Sequence, residues 1–151
     1  MMRRLRAPFA AAVIGLLAFL PVTATIAAET THKVAIQVDE NDAQRMNLAL
    51  NNAKNVANYY KAKGEKVEIE VVTFGPGLHM LRADTSPVKA RIVTFAATYE
   101  NVAFRACSNT LAGMTKKEGK QPPLMDMAEK VPSGVVHLMQ RQEEGWSYIR
   151  P

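Results

Sequence analysis

Two strand-like runs on either side of one long amphipathic stripe constrain this chain more than any other feature. Lys33–Val38 alternates Val34, Ile36 and Val38, and Val67–Phe74 alternates Val67, Ile69 and Val71. Between them Ala43, Met46, Leu50, Ala53, Ala57 and Tyr60 recur at spacings of three and four, the single apolar face of a helix. Asp39-Glu40-Asn41-Asp42 supplies capping groups before that helix, and Gly64 is placed to end it as the residue just past its last turn. Lys66, Glu68 and Glu70 give the second strand a polar face, which predicts an edge position in the sheet.

The remainder continues the alternation. Gly75-Pro76-Gly77 is a tight turn, and Ser86-Pro87 opens a helix carrying Val88, Ile92, Phe95 and Ala96. Val102–Ala106 reads as a third strand and Ser108 onward as a helix. Met125–Val131 reads as a fourth strand, and Pro132-Ser133-Gly134 breaks it before a helix with Val135, Val136, Leu138 and Met139. Trp146–Ile149 is a short last strand. Strands that alternate with helices predict a single three-layer α/β domain, with a five-stranded mostly parallel sheet and helices on both faces. Right-handed crossovers and the polar-faced second strand favour the order 2-1-3-4-5.

The fold is expected to begin after residue 28. Arg3, Arg4 and Arg6 form a basic start, and Phe9–Leu20 is an apolar run too short to span a bilayer comfortably. Pro21 and the small residues up to Ala28 complete the pattern of a signal peptide over residues 1–28, leaving the domain at 29–151. This predicts a periplasmic protein with no stable membrane insertion after cleavage. The chain has 19 Lys and Arg against 14 Asp and Glu, net +5; without the three leading arginines the balance is 16 against 14, net +2. No basic run interleaved with aromatics remains, which argues against nucleic acid as a partner.

Cofactor and metal motifs are missing from the sequence. Gly75-Pro76-Gly77 lacks the GxGxxG pattern and a P-loop lysine, although a glycine-rich turn after a strand can cradle an anion. His32, His79 and His137 are far apart, with no second His or Cys at ligand spacing. His79, beside the turn, is a candidate pocket residue, or else a surface imidazole.

Cys107 is the lone cysteine, so no internal disulfide can form. It falls between a strand and Ser108-Asn109-Thr110, whose side chains suit a helix start. A helix N-terminus favours a thiolate, but contributes only about 0.3–1 kcal/mol, or a few tenths of a pKa unit. The competing reading is a small apolar core residue. In the order 2-1-3-4-5 the topological switch lies between the first and third strands, which end at Asp39 and Cys107. That placement favours a functional thiol.

Several cysteine chemistries do not fit. A phosphatase-type loop needs an arginine six positions on, where Gly113 stands, and Ser108–Gly113 has no basic residue for a rhodanese-type loop. A hydrolase would need His79 as base. A thioredoxin-type enzyme needs a second, resolving cysteine.

Val67–Gly77 (VEIEVVTFGPG), Phe104-Arg-Ala-Cys107-Ser-Asn109-Thr110-Leu111, Pro132-Ser-Gly134-Val-Val and Gly145-Trp146-Ser-Tyr148-Ile-Arg-Pro together resemble the DsrE/DsrF-like family, over about residues 32–151. The resemblance implies a YchN-like fold, a homo-oligomer, and a cysteine that carries persulfide sulfur, at Cys107. The signal peptide departs from the cytoplasmic sulfur-relay members. Two functions follow as expectations. One is a sulfur carrier or sulfurtransferase-like protein using Cys107, with a small sulfur compound or a protein as donor and acceptor and no cofactor. The other is a non-catalytic module that binds a small ligand or protein, with Cys107 merely packed. Asp39, Gly75, Gly77, His79, Ser108, Asn109 and Thr110 are the expected binding residues around the thiol.

Overall fold

The computed structural model describes residues 31–151; the signal peptide read at 1–28 and its cleavage point lie outside the described residues. The elements run β1 (Thr31–Val38), α1 (Ala43–Lys63), β2 (Lys66–Thr73), a 3-10 segment (Gly75–Leu81), α2 (Lys89–Thr98), β3 (Val102–Cys107), α3 (Ser108–Glu118), β4 (Ala128–Val131), α4 (Gly134–Glu143) and β5 (Ser147–Ile149). The local signals explain the boundaries. The Asp42 carboxylate accepts the Arg45 N–H at 2.7 Å and caps α1. Gly64 ends that helix at φ 70°, a conformation that costs other residues a Cβ clash.

All four strand pairings are parallel, in the order β4-β3-β2-β1-β5. The fold class is that expected: a five-stranded parallel sheet with helices on both faces. The strand order differs from 2-1-3-4-5. The pairs β1–β2 and β3–β4 are present, but β2 lies between β1 and β3, and β5 closes the free side of β1. β2 is therefore central although Lys66 and Glu68 are exposed. Its polar face is tolerated because Glu70 is buried among arginines, not solvated. Two element bounds also shift: β4 is confined to Ala128–Val131, and α2 starts at Lys89, after a turn in which the Ser86 hydroxyl accepts the Val88 N–H and donates to the Met80 carbonyl.

The handedness of parallel crossovers accounts for the two layers of helix. The connections β1→β2, β2→β3 and β3→β4 step the same way across the sheet, so α1, α2 and α3 lie on one face. The connection β4→β5 returns, so α4 lies on the other. The large core fills the first face: Val34, Ile36, Ile69, Val71 and Phe104 pack against Met46, Leu50, Leu78, Ile92 and Leu111. The second face holds a small cluster only, Ala35, Val72, Leu138 and Trp146, with Phe74 against it. Among the described residues no helix is long and apolar enough to cross a membrane.

Candidate functional site

Cys107 is the last residue of β3 and the N-cap of α3. Alternation along β3 puts Val102, Phe104 and Ala106 into the large core and turns Ala103, Arg105 and Cys107 toward the α4 side. The thiol is 4 % exposed but belongs to neither apolar cluster. Polar donors surround it instead. The Thr110 N–H donates to its sulfur at 3.4 Å. The Thr110 hydroxyl and the backbone amides of Gly134 and Asn109 stand around it and favour its anion. Burial pushes this thiol up, but the Thr110, Gly134 and Asn109 bonds outweigh it and hold the thiol below its ordinary value.

Two helix N-termini therefore flank one sulfur: α3, whose Thr110 N–H donates to it, and α4, whose first residue is Gly134. The Ser133 hydroxyl caps α4 by accepting Val136 N–H, and the Asn109 N–H donates to the Pro132 carbonyl at 3.2 Å, tying the two helix starts together. Gly134 is seated on Phe74; a Cβ there would stand 2.9 Å from both Cβ and Cδ1 of the phenylalanine. The absent side chain is what lets this amide reach the thiol.

A solved structure described as a protein of unknown function, MTH1491 from Methanobacterium thermoautotrophicum, is similar to this chain at 37% identity, with a TM-score of 0.65. The match covers 80% of this chain and 99% of the archaeal one. This chain belongs to the MTH1491 family. No protein-family profile and no curated protein matches it.

In this member of the MTH1491 family the expected site residues divide into groups. Cys107, Ser108, Asn109 and Thr110 form one turn, and Gly75 joins them: its N–H donates to the Thr110 hydroxyl at 2.9 Å. Gly75, Pro76, His79 and Thr110 then line a groove of about 520 Å³ with Met114 and Lys117 of α3. His79 is half-buried there, its Nδ1 2.9 Å from the Thr85 hydroxyl. The glycine turn offers little to an anion, since Gly77 N–H is already given to the Phe74 carbonyl and Gly75 N–H to Thr110. Gly77 instead packs against the end of β1.

Asp39 is drawn elsewhere. Its carboxylate accepts from Arg150 at 3.0 Å, next to the β5 edge, and β2 separates its strand from that of Cys107. The crevice expected between the first and third strands does not exist in this strand order; the thiol's surroundings come from the starts of α3 and α4. Gly134 is the residue that sequence reasoning missed. Its signal was the Pro132-Ser133-Gly134 break, which reads as a cap and not as a donor. Among the described residues no group of three metal-ligating side chains occurs.

Proposed function

We propose that this protein is a sulfur carrier in which Cys107 accepts and passes on sulfane sulfur. One observation carries the reading: a lone thiol, outside the apolar clusters, accepts the Thr110 N–H at the start of α3, with the polar groups of Thr110, Gly134 and Asn109 around it favouring its anion. The resemblance to the DsrE/DsrF-like family supports the same role. The Cys107 thiolate attacks the outer sulfur of the donor, whose S–S bond breaks. With thiosulfate as donor, the products are the Cys107 persulfide anion and sulfite, which leaves with the electron pair of that bond. An acceptor thiolate then takes the outer sulfur and regenerates Cys107. Atoms and charge balance without an added oxidant or reductant. Thr110, whose N–H donates to the sulfur, also lines the groove, and the groove is the proposed approach for a donor although Cys107 itself does not line it.

The native protein incubated with thiosulfate or polysulfide is expected to gain the mass of one sulfur, and Cys107→Ser to gain none while remaining folded. A parent that gains nothing under conditions that modify a free thiol rejects the carrier. Iodoacetamide separates the remaining reading: labelling of Cys107 only after denaturation identifies a packed cysteine in a binding module.

The sequence of residues 1–28 supports an exported carrier. Protein recovered from the periplasm is expected to have a mass that begins near Glu29; a full-length mass there rejects cleavage. A second copy of the chain is the proposed partner for the α4 side. Val135, Val136 and Met139 are exposed along α4, as is Tyr148 of β5. Light scattering is expected to give an oligomer, and Met139→Glu a smaller species.

A further inference from the structure

On the second face of the sheet Glu70 is 2 % exposed, in the central strand, in register with Ala35 and Ala103. Three side chains meet it. Arg105 comes from the neighbouring strand and donates to Oε1 at 2.7 and 2.9 Å. The other two come from α4. His137 Nε2 lies 2.6 Å from Oε2, and Arg141 donates to Oε2 at 2.9 Å and to Oε1 at 3.0 Å. Arg105 also pairs with Glu129, and Arg141 with Glu144 at 2.7 Å, both on the exposed rim.

His137, Leu138 and Arg141 lie three, four and seven residues after Gly134, so the four share the face of α4 that meets the sheet. The carboxylate thus grips α4 at two successive turns, and the same face ends at the Gly134 N–H. Apolar contact beneath this helix is slight, being limited to the small cluster around Leu138 and Trp146. The ionic grip adds two side-chain anchors to α4 beside the Phe74 seat of Gly134 and the Leu138–Trp146 cluster.

We propose that Glu70 is a positioning residue for Cys107: by clamping His137 and Arg141 it sets the seat of α4, and so the approach of the Gly134 N–H to the sulfur. This rests on the reading of Cys107 as a functional thiolate. Glu70 does not touch the reacting atoms. It acts through the helix.

For Glu70→Gln the sign of the effect separates positioning from simple electrostatics. Removing a carboxylate charge alone would make a thiol on the same face more acidic. Loosening α4 makes it less acidic. The measurement is the pH midpoint of thiolate ultraviolet absorbance in the full chain, with Cys107→Ser as the blank and circular dichroism to confirm folding. Glu70→Gln and Arg141→Gln are each expected to raise the midpoint by about 0.2–0.7 units, the span of one helix N-terminus. Arg105→Gln, which removes the same positive charge as Arg141→Gln without touching α4, is expected to raise it less. His137→Asn serves as a milder cut if either of the first two does not fold.

A midpoint that falls or stays still in the folded Glu70 and α4 variants overturns the proposal. So does an equal rise in Arg105→Gln. Gly134→Ala lifts α4 directly and tests the underlying reading. If it raises the midpoint while Glu70→Gln and Arg141→Gln do not, the thiolate reading stands and the clamp is rejected. If the parent titrates near the ordinary value of about 8.5 and Gly134→Ala changes nothing, the thiolate reading itself fails.

Discussion

Glu70→Ala is expected to lower the unfolding free energy by about 3–5 kcal/mol, the cost of leaving buried partner charges uncompensated. Arg105, His137 and Arg141 would then face one another around an empty position, on the side of the sheet with little apolar packing. A domain with the usual stability of about 5–15 kcal/mol would lose a large share of it. Urea unfolding followed by circular dichroism measures the difference. Acid gives a second handle on the same residue. Burial pushes the Glu70 carboxyl up, but hydrogen bonds from Arg141, His137 and Arg105 outweigh this and hold it at about 2. Its value in the folded chain is below that in the unfolded chain. The stabilisation is therefore complete above the ordinary carboxylate range and is lost as pH falls toward 2. The shift corresponds to about 3 kcal/mol. The parent should lose this increment between about pH 4.5 and 2, and Glu70→Ala should not. Asp84, held at about 2 by the Arg82 guanidinium, titrates alike in both proteins and cancels from the comparison.

Gly77→Ala is the second large effect. An added Cβ would lie 2.1 Å from the Val38 carbonyl oxygen, 2.5 Å from its carbon and 2.7 Å from the Asp39 nitrogen. All three are backbone atoms, and that carbonyl already accepts the Phe74 N–H at 3.2 Å. No side chain can rotate away to make room. The expected loss is at or above the upper end of the roughly 1–3 kcal/mol that overpacking usually costs. Displacing the turn also breaks the bond from Gly75 N–H to Thr110, so the thiol should titrate higher in whatever folds. Gly113→Ala is the matching control, on the exposed side of α3 with nothing within 4 Å of the new methyl. It is expected to gain about 0.5–1 kcal/mol from helix propensity. Thermal melts of the two variants should move in opposite directions.

The sequence carried α1 in full, because stripe, cap and terminal glycine are local signals that packing did not override. It also carried the turn at Cys107, where strand alternation and Ser-Asn-Thr capping meet within a few residues. Strand order was not legible. Alternation of Glu68 and Glu70 with valines looks the same whether the carboxylates meet water or guanidinium groups. Here the partners of Glu70 lie 35 and 71 residues further on. The same separation concealed Gly134, whose role as a donor exists only once α4 has crossed to the far face.

That crossing has a consequence for the order in which the chain matures. A ribosome releases β1 through α3 first, and those elements already contain the large core and both flanks of the Cys107 turn. The Gly134 amide and the clamp on Glu70 arrive with α4, and β5 then locks beside the very first strand. During synthesis Cys107 thus passes through a stage with the α3 donors alone. Its full set of polar neighbours waits for α4, so a chain truncated or stalled before that helix would present a thiol of more ordinary acidity on an unfinished sheet.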